Sequence, residues 1–100
     1  MADLTGTQKK HLRGLAHSLK PVVQVGRNGL TDPVIQSIDE ALADHELIKV
    51  RLADPQGQKR ELADEIAART GSARVGLVGN VVTLYRQHPD PEERRIEVPG

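Results

Sequence analysis

The sequence contains no cysteine, which excludes disulfide bonds and thiolate metal sites. Its four histidines lack the i, i+4 spacing of a helical metal site, and its serines have no recognisable nucleophile motif. Residues 1–10 carry neither the apolar run of a signal peptide nor a membrane span. We therefore expect a cytoplasmic, non-enzymatic protein with no metal, no cofactor, no small-molecule substrate and no membrane contact.

Aromatic residues are nearly absent: there is no phenylalanine or tryptophan, and Tyr85 is the single tyrosine. The core must therefore be built from aliphatic side chains. Modules that bind single-stranded bases by stacking need exposed aromatic platforms, which this chain cannot supply. If the protein binds RNA, it must do so through phosphates, 2′-hydroxyls and shape.

The net charge is zero, with 14 basic and 14 acidic residues, an average that argues against a polyanion partner. The distribution along the chain is uneven, however. Residues 1–30 hold five basic residues and one acidic residue, whereas residues 31–70 hold five basic and nine acidic residues. Because local potential decides where a polyanion docks, the first third is the candidate surface. Chance segregation of surface charge is the competing interpretation.

The first third also predicts an amphipathic helix. Thr5 and Gln8 fit a capping box at its start, and Pro21 disfavours helical geometry at the preceding residue, so we expect the helix to end near Lys20. Apolar residues follow at i, i+3, i+4 and i+7, the spacing of one buried helical face: Leu12, Leu15, Ala16 and Leu19. Beside this face lies a basic stripe of Lys9, Lys10, Arg13, His17 and Lys20. The stripe is either a solvated face or a contact for a polyanion.

Between this helix and residue 52, the pattern predicts a strand, a helix and a second strand. Residues 22–25 are short, apolar and β-branched, which is typical of a strand buried on both faces. The helix follows, with Asp32 as N-cap and Thr31 as the alternative, and ends near His45. Residues 47–52 then alternate in polarity and turn Lys49 and Arg51 toward an exposed face.

The remainder predicts a helix and a hairpin. After a break at residues 54–57, residues 58–70 form the third helix, which Gly71 terminates. Strands at residues 73–78 and 81–86 flank a two-residue turn. Residues 87–100 are a loose polar tail, in which residues 94–98 are a candidate edge strand. The order α-β-α-β-α-β-β predicts a single α/β (α+β) domain, in which three helices pack a mixed four-stranded sheet.

The loop Gly26-Arg27-Asn28-Gly29 lies between the first strand and the second helix, where anion binding is favourable. The first turn of a helix leaves roughly four N–H groups unpaired, and glycine lets the backbone turn through positive φ and approach a phosphate closely. Arg27 can donate two bonds to a phosphate, and Asn28 can bond a 2′-hydroxyl. The alternative is a tight turn that merely requires glycine. The spacing fits neither a P-loop nor a dinucleotide fingerprint.

Six stretches of the chain carry a family resemblance: residues 8–17, 19–23, 26–31, 45–50, 79–80 and 84–86. Together they resemble the CRM domain, the chloroplast RNA splicing and ribosome maturation domain, whose free-standing bacterial members are the YhbY-like proteins. The resemblance implies an RNA-binding domain over residues 1–86, with residues 87–100 as a tail, and a fold related to the C-terminal domain of translation initiation factor three. It also implies association with precursors of the large ribosomal subunit.

The resemblance assigns RNA binding to the G-x-x-G loop and to the basic first helix. The loop residues are Gly26, Arg27, Asn28 and Gly29, and the helix residues are Lys9, Lys10, Arg13 and His17. Lys20 lies on the same stripe, and Lys49 and Arg51 extend the surface. The expected partners are rRNA of the large-subunit precursor and ribosomal proteins. The alternative is a protein-interaction module of the translation machinery that does not touch RNA.

Overall fold

A computed structural model describes residues 4–53 and 57–99. Residues 54–56, in the predicted break, lie outside these ranges. The elements follow the predicted order: α1 (Gly6–Ala16), β1 (Pro21–Val25), α2 (Asp32–His45), β2 (Leu47–Leu52), α3 (Lys59–Thr70), β3 (Ala73–Val78), β4 (Val81–Tyr85) and a short 3-10 helix (Pro91–Glu93). Within the described ranges, no helix has the length and apolar character needed to cross a bilayer.

The four strands form one mixed sheet in the order β1-β2-β4-β3, which confirms the predicted architecture. β1 and β2 are parallel, and β4 is antiparallel to both β2 and β3. β4 therefore returns from the hairpin into the middle of the sheet, and β1 and β3 form its edges. The loop after β1, the end of β2 and the hairpin turn meet at one end of the sheet, where the Leu52 N–H donates to the Asn80 carbonyl at 2.7 Å.

Two apolar cores lie on opposite faces of this sheet. The larger core joins α2 and α3 to the first face, with Ile38, Leu42 and Ile66 fully buried against the strands. The smaller core joins α1 to the second face at the end of the sheet away from the G-x-x-G loop, and comprises Leu12, Ala16, Leu47, Val75 and Tyr85. Among the described residues, no helix covers the loop-proximal half of the second face.

α1 is shorter than predicted, and its apolar face is only partly buried. The Thr5–Gln8 capping box is confirmed, but the helix ends at Ala16 rather than near Lys20, because the following residues connect to β1 at Pro21. Leu12 and Ala16 are buried, whereas Leu15 and Leu19 are 44% and 38% exposed. The spacing correctly marked an apolar face, but α1 contacts the sheet with one side of that face only.

β1 is not buried on both faces, which corrects the prediction. Val25 is buried, but Val22 is 53% exposed, because β1 is an edge strand and no helix within residues 4–53 and 57–99 covers its second face. The N-cap of α2 is Thr31, the alternative of the two predicted caps: its hydroxyl accepts the Val34 N–H at 3.4 Å. Asp32 is the first helical residue instead.

The tail after residue 86 is anchored to the domain rather than loose. Residues 94–98 form no strand, because the Glu46 carboxylate accepts the backbone N–H groups of Arg95 and Ile96, as well as that of His88. Ile96 and Val98 also pack against the smaller core. The division of the chain at residue 86 stays a prediction.

Candidate nucleic-acid interface

The G-x-x-G loop forms a tight turn with an open surface. The Gly29 N–H donates to the Gly26 carbonyl at 3.0 Å, and Gly29 has a φ of 76°. Gly26 does not adopt positive φ, so only one of the two glycines meets that expectation. The four loop residues, with Thr31 and Val34, line a depression of about 290 Å³. The loop therefore presents a small concave surface beside the first turn of α2.

Asp32 does not cap the helix beside this loop. Its carboxylate pairs with the Arg69 guanidinium at 3.4 Å, while Thr31 satisfies a helical N–H. Arg27 is exposed, and its guanidinium forms no ion pair with any part of the chain that the structure describes. The Arg27 side chain is consequently available to a ligand.

A second group of basic side chains lies on the uncovered half of the sheet. The alternation of β2 turns Lys49 and Arg51 toward this face, and the early end of α1 leaves Arg13 and His17 at its rim. These four residues line one cleft of about 440 Å³, here called the basic cleft. Arg51 pairs in register with Gln24 of β1, two residues before Gly26, so the cleft extends toward the G-x-x-G loop.

Arg13 is held across β3. Its Nη1 donates to the Val75 carbonyl at 2.9 Å, and its aliphatic stem passes over Gly76, where a β carbon would lie 3.0 Å from Arg13 Cδ. The side chain also lines a depression of about 540 Å³ on the far side of this crossing. Arg13 therefore connects two basic surfaces.

This second depression contains cations that the sequence interpretation missed. Lys59 and Arg60 from α3 and Arg74 from β3 lie there with Lys9 and Arg13. Arg74 pairs with Asp64 at 3.2 Å. The sequence did contain a sign of this role at Lys59 and Arg60. Cations in the first turn of a helix oppose the helix dipole, which suggests that they serve a purpose other than helix stability. The placement of α1 and α3 on either side of the edge strand β3 was not readable from the sequence.

Two residues of the predicted stripe lie apart from these surfaces. Lys20 lies outside α1 and lines an apolar groove with His11 and Leu15. Lys10 is exposed on α1 but lines none of the depressions described above. The stripe is therefore divided by the fold, and Lys9, Arg13 and His17 are the members that join the basic surfaces.

The site offers charge and hydrogen bonds but no aromatic stacking surface. Tyr85 is only 2% exposed, and its burial, together with the nearby Glu46 carboxylate, raises the pKa of its hydroxyl. In the described ranges, no group of three histidine, aspartate or glutamate side chains is arranged to hold a metal ion. The arrangement suits a polyanionic backbone rather than stacked bases.

Comparison with known proteins identifies the family of the chain. The CRS1 / YhbY (CRM) domain model matches residues 4–86. The chain is 42% identical to a Haemophilus influenzae protein named RNA-binding protein, over 99% of this chain and 98% of that one. It is 40% identical to the Bacillus subtilis protein YqeI, named a probable RNA-binding protein, over 96% and 99% of the two chains.

A solved structure shares the fold. The solution structure of a Staphylococcus aureus protein, described as a candidate RNA-binding protein, superposes with a TM-score of 0.82 at 37% identity, covering 97% of this chain and all of that one. The matched family model spans both the G-x-x-G loop and the basic cleft. The chain belongs to the CRS1 / YhbY (CRM) domain family.

Proposed function

We propose that this protein binds rRNA in precursors of the large ribosomal subunit and assists their assembly in the cytoplasm without catalysing a reaction. The G-x-x-G loop clamps one phosphate through its backbone N–H groups and Arg27. The basic cleft holds the neighbouring stretch of backbone. RNA binding is also what the names of the similar bacterial proteins state of those proteins.

The basic cleft is the observation that carries this proposal. Arg13 of α1 and His17, which follows α1, meet Lys49 and Arg51 of β2 on a sheet face that no helix of the described ranges covers. Basic side chains gathered on one face repel one another in the free protein. A bound polyanion would relieve this repulsion. The acidic residues of α2 and α3 do not line this cleft, which explains how a chain of zero net charge can bind RNA.

The second depression extends the footprint. Lys9, Lys59, Arg60 and Arg74 continue the positive surface past the Arg13 crossing. RNA backbone that leaves the cleft over β3 would contact them next. Specificity would come from RNA shape, since the one aromatic ring is buried and major-groove reading of an RNA helix is sterically excluded.

The decisive experiment measures affinity for large-subunit rRNA at low and physiological salt. We compare the wild type with Arg27→Glu and with Arg95→Glu, a matched charge reversal in the C-terminal segment, after circular dichroism shows that all three fold. We expect wild-type affinity to fall steeply with salt, because bound phosphates release counterions. Arg27→Glu should lose about tenfold or more in affinity, as expected when a charge-assisted phosphate contact becomes a repulsion.

Two outcomes would reject the proposal. A folded wild type without RNA affinity at either salt would rule out direct binding and favour the protein-interaction alternative. Equal losses in Arg27→Glu and Arg95→Glu would show that net charge, rather than the loop, governs binding. For the protein-interaction alternative, we expect partner binding that is insensitive to salt and to Arg27→Glu.

A further inference from the structure

An apolar groove of about 1180 Å³ lies beside α1, next to the basic cleft. Leu15 of α1, Leu19 of the connection and Val22 of β1 form one wall, and the C-terminal segment at Ile96 and Val98 forms another. α1 and the residue after it divide their side chains between the two surfaces: His11 and Leu15 line the groove, whereas Arg13 and His17 line the cleft. Leu19 lies between them and lines both.

The exposed apolar side chains of the protein are concentrated in this groove. Of the four large hydrophobic residues that are exposed in the described ranges, Leu15, Leu19 and Val22 line it, and only Val78 lies elsewhere, at the hairpin. Isolated exposed apolar residues are ordinary, but a contiguous concave set marks an interaction site. The fold itself makes no use of these three side chains in its cores.

The rim of the groove is mainly basic. Lys20 and Arg95 flank it, together with the imidazoles of His11 and His45, and Glu97 is the single acidic residue of the lining. Neither Lys20 nor Arg95 forms an ion pair within the part of the chain that the structure describes. An occupant that combines aliphatic side chains with carboxylates would match both the floor and the rim.

β1 supplies a further reason to expect a polypeptide. It is an edge strand of the sheet, and edge strands present backbone N–H and C=O groups to which an extended segment can add. The groove lining contains no phenylalanine, tyrosine or tryptophan, so a nucleobase could stack there only on His11, His45 or the Arg95 guanidinium, whereas most of the lining is aliphatic. Aliphatic side chains therefore fit this groove better than bases do.

We propose that the groove docks an extended, acidic protein segment rich in aliphatic side chains, supplied by a partner protein. The groove and the basic cleft lie on different sides of α1, so the segment and RNA can be bound together. This proposal does not depend on RNA binding. If both are correct, the protein joins an RNA to an acidic partner.

The test begins with selection of a random 16-residue peptide library on the full-length protein. The strongest binder is then measured against the wild type and two matched variants, Val22→Asp in the groove and Val78→Asp at the hairpin. Both replace an exposed strand valine with the same charge. We expect selected peptides with several aliphatic residues and net negative charge. Val22→Asp should weaken binding about tenfold or more, and Val78→Asp less than about twofold.

Two additional measurements separate the components of the proposal. Replacing the acidic residues of the peptide by their amides should weaken binding and remove its salt dependence, because the basic rim would lose its partners. Leu15→Ser should weaken binding as Val22→Asp does, which guards against misfolding of one variant. Neither substitution should change rRNA affinity by more than about twofold, since both lie outside the basic cleft.

Each contrary result overturns the inference. If no peptide is enriched, or if the peptides bind Val22→Asp as tightly as the wild type, the groove is not the docking site. If the amide peptide binds as well as the acidic one, the occupant is not acidic. If rRNA crosslinks to Leu15 or Val22 and displaces the peptide, the groove belongs to the RNA surface.

Discussion

The side chain of Arg13 crosses β3 over Gly76, and the absence of a β carbon at Gly76 makes room for it. An added β carbon would lie 3.0 Å from Arg13 Cδ and 3.3 Å from Cγ, closer than ordinary van der Waals contact. The register of β3 against β4 also shifts between Arg74 and Gly76. Arg13 joins the basic cleft to the second depression, and Gly76 lines both of them. Gly76 therefore positions a residue of the proposed RNA surface by leaving room for its side chain.

Gly76→Ala should therefore weaken RNA binding. The methyl group would displace the Arg13 stem and strain its bond to the Val75 carbonyl, with a loss of stability of ~1 kcal/mol. Affinity for rRNA should fall about threefold to tenfold, the loss of one charge-assisted contact. In an Arg13→Ala background, the same substitution should have almost no further effect on affinity. Additive losses in this double-mutant cycle would contradict the relationship.

The second depression predicts a change in salt dependence. Lys59→Gln with Arg60→Gln should lower rRNA affinity at low salt and reduce the slope of log affinity against log salt by roughly one to two units, as one or two phosphate contacts disappear. Stability should hold or rise slightly, because both cations lie near the N-terminus of α3 and oppose its dipole. Arg95→Gln is the single-charge control. If the salt slope of the double variant equals that of the wild type, RNA contacts only the basic cleft and the G-x-x-G loop.

The two loop glycines should respond differently to alanine. Gly29 has a φ of 76°, so Gly29→Ala should cost ~1–2 kcal/mol of stability whether or not RNA is bound. Gly26 has no such strain, and a β carbon there would meet nothing within 4 Å. Gly26→Ala should therefore keep its urea midpoint yet lose rRNA affinity, because the methyl group would stand between the backbone and a phosphate. If Gly26→Ala binds rRNA as tightly as the wild type does, the loop is only a turn and does not bind phosphate.

Element order was readable from the sequence because local rules determine it. The capping box at Thr5, the αL glycine after Thr70 and the alternation of residues 47–52 each act within a few residues. Arg13, His17, Lys49 and Arg51 were likewise marked by type and face, and the structure brings all four together.

Contacts between residues far apart in the chain could not be predicted from the sequence. The sequence pattern predicts that Leu15 and Val22 are buried, but only the packed structure shows that they remain 44% and 53% exposed. Nor does any local pattern reveal that a carboxylate in residue 46 accepts backbone N–H groups near residue 95. Such contacts join residues about fifty positions apart, beyond the reach of propensity and spacing.

Glu46→Gln should release the C-terminal segment. Glu46 accepts N–H groups through both carboxylate oxygens, and glutamine would present a donor in place of one of them. We expect a loss of ~2–3 kcal/mol in the free energy of unfolding and faster amide exchange over residues 88–98. Glu40→Gln, an exposed acid of α2, is the control. Unchanged exchange in Glu46→Gln would show that apolar packing of Ile96 and Val98 alone holds the segment.

Tyr85→Phe tests an unusual buried hydroxyl. Within the described ranges, the Tyr85 hydroxyl has no hydrogen-bond partner, so its removal should leave stability at pH 7 unchanged or raise it by ~1 kcal/mol. If Tyr85→Phe instead lowers stability by more than ~1 kcal/mol, the hydroxyl must have a hydrogen-bond partner. Urea unfolding at pH 7 decides between these outcomes.

The stabilities of the wild type and of Tyr85→Phe should diverge at high pH. Burial, reinforced by the Glu46 carboxylate and opposed by Arg94, raises the pKa of Tyr85 above its ordinary value of 10.0. The unfolded chain therefore loses this proton first, so wild-type stability falls as pH rises through 10 toward the folded pKa. The phenylalanine variant lacks this contribution, so its stability advantage over the wild type should grow as the pH is raised from 9 to 11. A constant difference between the two unfolding curves across that range would mean that Tyr85 ionises equally in both states.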